Sequence, residues 1–357
     1  MQRIQRRIGG WVCLALLTAV VFCGQAFAWD EEGHVIVTRI AIQSLPTSLP
    51  AWLRTPEVQA RLEYLCAEPD RWRGIDSVQL DHANNPDHYM DLEMLTEVGL
   101  SLNTMPQLRR QFTDTLAEHR CKHPEFEKDY DPAKDKVYTR RVPGLLPYSI
   151  EEAYWKAASS WCTLRTMEKH RDKVTEAMLR SARENVVYHM GILSHYVGDG
   201  SQPLHLTVHH NGWVGDNPKK YTKSKRFHSY IDGGVLVRHG FNRDALPGPA
   251  RSPVRIPVGD DWRVIGQYLT ATHDQVEPLY ALQKSGELQK AAGKAFIGDR
   301  LLDGAAMLSG LWISAYEMPT NDSYLNNKLS GKLPISTSMP TDDEPESKPA
   351  PTTAPAK

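Results

Sequence analysis

The chain of 357 residues is 41% hydrophobic and 24% charged, a globular composition long enough for one large core or two modest ones, which excludes a disordered, collagenous or small disulfide-stapled protein. Lys and Arg number 42 against 43 Asp and Glu, a formal charge of −1. No strong basic field draws the whole chain to nucleic acid or anionic lipid, so any phosphate-binding charge is local.

Residues 1–28 read as a secretory signal. Arg3, Arg6 and Arg7 form a basic start, an apolar run extends from Ile8 to Phe22, and Ala26-Phe27-Ala28 supplies a small-residue cleavage site. Cleavage there leaves Trp29 as the first residue of an exported, periplasmic or extracellular protein with 39 basic against 43 acidic groups. An uncleaved membrane anchor is the alternative, weakened by the closeness of the cleavage site. Val21 and Phe22 are too bulky for a lipid anchor at Cys23. The remaining cysteines, Cys66, Cys121 and Cys162, allow at most one internal bridge, with the pairing left open.

The segments 70–88, 94–148 and 206–227 are rich in Pro, Gly, Asn and charge and are predicted as loops with short helical pieces. Elsewhere apolar residues recur at helical spacing, so the fold class predicted is all-α. Ser149 with Glu152 resembles a capping box opening a helix to His170. A long helix follows over 174–199, with Leu179, Val186, Met190, Leu193 and Val197 along its inner side, and further helices are predicted over 262–286 and 297–317. One domain is expected over 29–325. Residues 326–357 hold six prolines and no aromatic residue and are predicted to be a disordered tail.

The sharpest local feature is His195-Tyr-Val-Gly-Asp199 followed by Gln202-Pro203-Leu204-His205. Residues four apart share a helix face, so His195 and Asp199 can grip one ion, while Pro203 turns the chain and presents His205. His228 and Asp232 repeat the spacing. Either pair alone is often a mere helix-surface hydrogen bond; two with an intervening histidine point to metal. A freed α-amino group chelates a cation together with its own carbonyl oxygen, which makes Trp29 and His34 a candidate pair after cleavage.

At these residues the chain resembles the zinc-dependent superfamily that comprises the bacterial phospholipases C and the single-strand-specific nucleases named S-one and P-one. The motifs stand in order as Trp29, His34, Asp70, His88, His195, Asp199, His205, His228 and Asp232. The resemblance covers most of 29–320 and implies a single helical domain with a cleft holding three zinc ions. It assigns Asp70, His88, His195 and Asp199 to the first zinc, and His205, His228 and Asp232 to the second. The third takes the Trp29 amine and carbonyl with His34 and shares Asp199. Carboxylate and imidazole ligands without thiolate suit catalytic zinc sites. By the same resemblance the bridged pair, about 3.5–4 Å apart in such sites, activates water for attack on phosphorus, with Asp70 and Asp199 in the catalytic set and Arg73 neutralising developing charge. Arg73 otherwise reads as a surface arginine.

Three spacings lean towards the nuclease branch: Trp29 to His34, Asp70-x-x-Arg73, and His205 to His228. Tyr89 and Asp91 match positions that stack on and hydrogen-bond a base, although Tyr89 can equally pack against the site wall. Against this, the 206–227 loop lacks an expected Gly-Gly-Asn, and the stretch from His88 to His195 is long for either branch. The expected function is therefore an endonuclease or 3′-nucleotidase using zinc-activated water, with single-stranded nucleic acid or nucleotides as partners. The alternative is a phospholipase C releasing phospholipid headgroups; a zinc-binding protein with a dead site is a third reading. No stable protein partner is implied, and a monomer is expected. Lys219, Lys220, Lys223, Lys225 and Arg226 are candidate phosphate contacts or a solvated face, and Trp213 is a candidate lipid-entry residue. His88 is preferred over His82 as the early ligand, and His209 and His210 are expected at the substrate edge or in solvent.

Overall fold

The structure is a computed structural model that describes residues 29–127 and 130–333. The predicted signal peptide and the residues beyond 333 lie outside it. The described chain is mostly helical, as its apolar spacing predicted. In chain order the α-helices are α1 (Glu31–Gln43), α2 (Pro56–Leu65), α3 (Glu68–Arg73), α4 (Val78–Asn84), α5 (Leu92–Glu97), α6 (Arg109–Lys122), α7 (Leu146–Lys169) and α8 (Glu176–Ser201). These are followed by α9 (Phe227–Ser229), α10 (Val235–His239), α11 (Asp261–His273), α12 (Val276–Ser285), α13 (Ala291–Glu317) and α14 (Ser323–Leu329). Among the described residues, pairing between extended segments is confined to isolated bridges, Met90 with Gly144 and Asn242 with Ala245. No described helix is long and apolar enough to cross a membrane.

The architecture is organised around α8, which packs against α1, α2, α7 and α13. Thr175 caps its start by accepting the Met178 N–H, and Leu179, Val186, Met190, Leu193 and Val197 are all buried as expected. Its C-terminal half departs from ordinary amphipathicity: every residue from Met190 to Ser201 is buried, as in a helix enclosed on all sides. Glycines make that enclosure possible. A Cβ on Gly191 would collide with the Leu65 side chain, and one on Gly304 of α13 would stand 3.0 Å from Ser201. The buried apolar side chains from Trp29 to Met318 form one continuous core.

Several predicted boundaries move. Ser149 does not cap α7; the helix begins at Leu146, with Pro147 in its first turn, and Ser149 Oγ donates instead to the Leu145 carbonyl. Proline at a helix start costs no hydrogen bond and presets φ, so it outcompetes the apparent capping box. The helix expected over 262–286 is two helices broken at Asp274–Gln275. Pro278 falls in the first turn of α12, where its missing N–H is harmless; within an unbroken helix it would remove a bond. Residues 109–122, read as loop, form a full helix that buries Phe112 and Leu116. The start predicted for the tail falls inside α14, whose Asn326 Oδ1 accepts from His170 Nε2–H at 2.9 Å.

Candidate metal centre

Five segments deliver the candidate ligands to one place. His34 comes from the second turn of α1, whose start Asp30 caps by accepting the Gly33 N–H. Asp70 and Arg73 lie on α3, and His88 ends a short 3-10 turn at Asn85–His88. His195 and Asp199 occupy the enclosed end of α8, and His205 sits in the 3-10 turn Pro203–Leu206 just beyond it. His228 lies on α9, and Asp232 lies in a π-helical turn over Tyr230–Gly234, a local widening that often marks functional sites.

Three groups of buried side chains each bring their ligand atoms within 4.8 Å of one another: His34, His195 and Asp199; Asp70, His88 and His195; and His205, His228 and Asp232. Asp199 stands at the junction. Its Oδ1 lies 3.4 Å from His34 Nε2 and 4.0 Å from His205 Nδ1, while its Oδ2 lies 3.1 Å from His88 Nδ1 and 3.4 Å from His195 Nε2. Each carboxylate oxygen therefore faces a different set of imidazoles. The rings of His34 and His195 stack with centroids 4.2 Å apart.

Partners outside the cluster set the orientation of the rings. His195 Nδ1–H donates to the Cys66 carbonyl at 2.7 Å and His205 Nδ1–H to the His88 carbonyl at 2.6 Å, which leaves Nε2 of each as the lone-pair nitrogen. Gln202 holds Asp232 by donating from Nε2 to Oδ1 at 2.7 Å while its Oε1 accepts the Leu204 N–H. Glu93 of α5 accepts from Thr207 Oγ1 at 2.6 Å, the Val208 N–H at 3.0 Å and His273 Nε2 at 3.2 Å, pinning the chain that leaves His205. Sequence reading missed Glu93 and the two carbonyls, because nothing local in the sequence announces partners so distant along the chain.

Both ring nitrogens of His34 and His228, Nε2 of His88 and His205, Asp199 Oδ1 and Asp232 Oδ2 are buried without a hydrogen-bond partner. Burying a polar atom unpaired costs free energy, and so many converging lone pairs suit a cation. Burial also lowers the pKa of His34, His88 and His228 well below the usual imidazole range, and pushes His195 and His205 down to about 3. Burial thus favours the neutral form of all five, the form in which imidazole binds metal. Burial raises Asp70, Asp199 and Asp232, a cost that neighbouring positive charge relieves. The donor set thus fits metal ions.

Trp29 is fully buried, its ring Nε1–H donating to Ser201 Oγ at 2.8 Å, and the next residue's N–H donates to the Asp232 carbonyl at 3.1 Å. The start of the described chain is thereby locked against the cluster. His82 stands apart, its Nδ1 donating to the Val137 carbonyl.

A cavity of about 480 Å³ opens onto the cluster, with Arg73, His88, Tyr89, Asp91, His205 and His228 in its lining. Arg73 Nη1 lies 3.2 Å from Asp70 Oδ1 and its Nε donates to Asn85 Oδ1 at 2.8 Å, so its charge is held in place beside the cluster. Burial and the Glu93 carboxylate push Asp91 up to about 7. His210 lines the same cavity, 4.0 Å from Asp91. His209 stacks on Trp213 at 3.9 Å, and that indole packs on Tyr221 and Tyr280. Lys219 pairs with Glu277, and the rest of the 219–226 basic run is exposed. Cys66 and Cys162 are buried, Cys121 is exposed, and all three are free. The chain matches no family model, no curated protein and no solved structure.

Proposed function

We propose that the protein is an exported zinc-dependent phosphodiesterase of the single-strand nuclease type, with the fold of the superfamily its motifs resemble. The observation that supports this best is the convergence of three His/Asp groups around Asp199, beside a cavity walled by a tethered arginine. The absence of thiolate from the donor set favours zinc with open positions over a closed structural site. Asp70, His88, His195 and Asp199 would hold one ion, His205, His228 and Asp232 a second, and His34 with Asp199 and the amine and carbonyl of Trp29 a third. Bound there, zinc supplies Lewis acidity towards water and towards phosphoryl oxygens.

The chain's own residues do the rest. Arg73 offers fixed positive charge to the phosphoryl oxygens of the substrate, and its anchoring to Asp70 and Asn85 avoids a reorganisation cost during the reaction. Tyr89 offers an aromatic wall for a base. Asp91, poised near neutrality, offers a hydrogen bond to the base edge. Nucleotide 3′-phosphates fit the same arrangement as an internal phosphodiester.

The deciding experiment assays the protein processed to Trp29 and loaded with zinc on single-stranded RNA and DNA and on phosphatidylcholine vesicles, each with a chelated control. Chelator-sensitive cleavage of nucleic acid is expected. Headgroup release alone moves the protein to the phospholipase C branch, and a chain that binds no zinc overturns the reading altogether.

A further inference from the structure

A separate cavity, unused by the proposed chemistry, borders the turn that carries two of the candidate metal ligands. Its volume is about 640 Å³, within the range that small ligands occupy. The stretch 227–234 forms one wall: His228 and Asp232 belong to the metal cluster, whereas Phe227, Ser229, Tyr230 and Gly234 line this cavity. No described residue lines both it and the cavity of the cluster. A second wall comes from the end of α12. Gly286 there adopts φ +76°, the left-handed region that favours glycine, and the turn brings Gln283 and Gln289 to the same cavity. His239 fixes that turn, its Nε2–H donating to the Leu288 carbonyl at 3.0 Å.

Arg226 also lines the cavity, with its backbone held twice. Ser224 Oγ accepts its N–H at 3.3 Å, and Ser229 Oγ donates to its carbonyl at 3.2 Å. The side chains of Arg226, Gln283 and Gln289 have no hydrogen-bond or ion-pair partner among the described residues. Tyr230 Oη is likewise buried without one, a cost that a hydrogen-bonding guest relieves. One guanidinium and two amides thus stand uncommitted on fixed backbone, and among the described residues no acidic side chain lines the cavity.

These groups define the chemistry of a guest. A single cation matches a single negative charge, and the planar guanidinium fork pairs well with a carboxylate. An amide both donates and accepts, as the hydroxyls of a sugar do, so two free amides suit a hydroxylated ring. A nucleic-acid base finds no open ring to stack on: Phe227 is buried against Tyr280 with centroids 4.8 Å apart, and the Tyr230 ring packs against Gly234. An acyl chain finds little apolar surface, because Phe227 and Leu288 are both buried. We propose that this cavity binds a uronic acid, a sugar bearing one carboxylate, with Arg226 on the carboxylate and Gln283 and Gln289 on the ring hydroxyls. The site uses none of the metal ligands and stands independently of the phosphodiesterase reading.

The test is isothermal titration calorimetry of the zinc-loaded protein with trigalacturonate, with maltotriose as the neutral counterpart and inorganic phosphate as the competing anion. Saturable binding of trigalacturonate is expected, at least about tenfold tighter than that of either control, since the charge-assisted bond distinguishes them. Arg226→Ala should weaken it about tenfold and Gln289→Ala about threefold. Both side chains are exposed, so neither replacement threatens the fold. Arg73→Ala, in the cavity of the cluster, should leave the affinity unchanged. No saturable binding, equal affinity for maltotriose, tighter binding of phosphate, or a loss in Arg73→Ala without one in Arg226→Ala overturns the proposal.

Discussion

Gly198 lies directly under the His34 imidazole: a Cβ placed on it would stand 2.5 Å from Nδ1 and 3.0 Å from Cε1. Helix α8 therefore approaches α1 closely enough for His34 to share Asp199 only because position 198 carries no side chain. The glycine sits immediately before the carboxylate that the two helices contest, which joins the packing of α1 on α8 to the assembly of the cluster.

Gly198→Ala is accordingly expected to displace His34. Overpacking costs about 1–3 kcal/mol, so the variant should fold with a lowered melting temperature while losing about one zinc equivalent per chain by elemental analysis. A full metal complement would separate His34 from metal binding.

Asp199→Ala removes both oxygens that face the two imidazole sets. Zinc content is expected to fall by about two ions, and turnover with it. Activity near that of wild type would contradict the bridging role. Because the side chain is fully buried, circular dichroism of the metal-free variant checks that the helices survive.

Glu93 tests how the cluster is positioned. Burial would raise its carboxyl, but hydrogen bonds from His273 and Thr207 hold it down at about 2, and its three acceptor contacts fix the chain after His205. Glu93→Gln is expected to cost about 1–3 kcal/mol in urea denaturation and to weaken binding of the zinc proposed for His205, His228 and Asp232. Unchanged zinc affinity would limit Glu93 to stability.

A further pH effect is expected between α7 and α11. Burial, and next the Asp261 carboxylate, push Glu151 up to about 8 from an ordinary 4.5, while Trp155 Nε1–H donates to Asp261 at 3.1 Å. The folded protein keeps a proton that the unfolded chain releases. This stabilisation is complete below about pH 4.5 and is lost as pH rises through about 8. Glu151→Gln should therefore melt higher than wild type above about pH 8, with the advantage vanishing towards about pH 5. A difference in melting temperature that does not change with pH would refute the titration.

What the sequence by itself determined is what lies within one helical turn. The pairing of His195 with Asp199, the inward face of α8 and the all-α class follow from periodicity, because side chains four residues apart meet whatever the rest of the chain does. The His228 to Asp232 spacing was legible in the same way, although the turn that carries Asp232 is π-helical. Where two local signals competed, as Ser149 did with Pro147 at the start of α7, spacing alone could not rank them.

The motif resemblance named His34, Asp70 and His88 as partners of His195 and Asp199, but no local spacing dictates it; the tertiary structure is what brings their side chains to α8. It likewise decided that the carbonyls of Cys66 and His88 select which imidazole nitrogens face inward, and that Glu93 and Gln202 hold the outer positions. These relations depend on helices packing closely at particular glycines, and close packing is a property of surfaces in contact that no single segment contains.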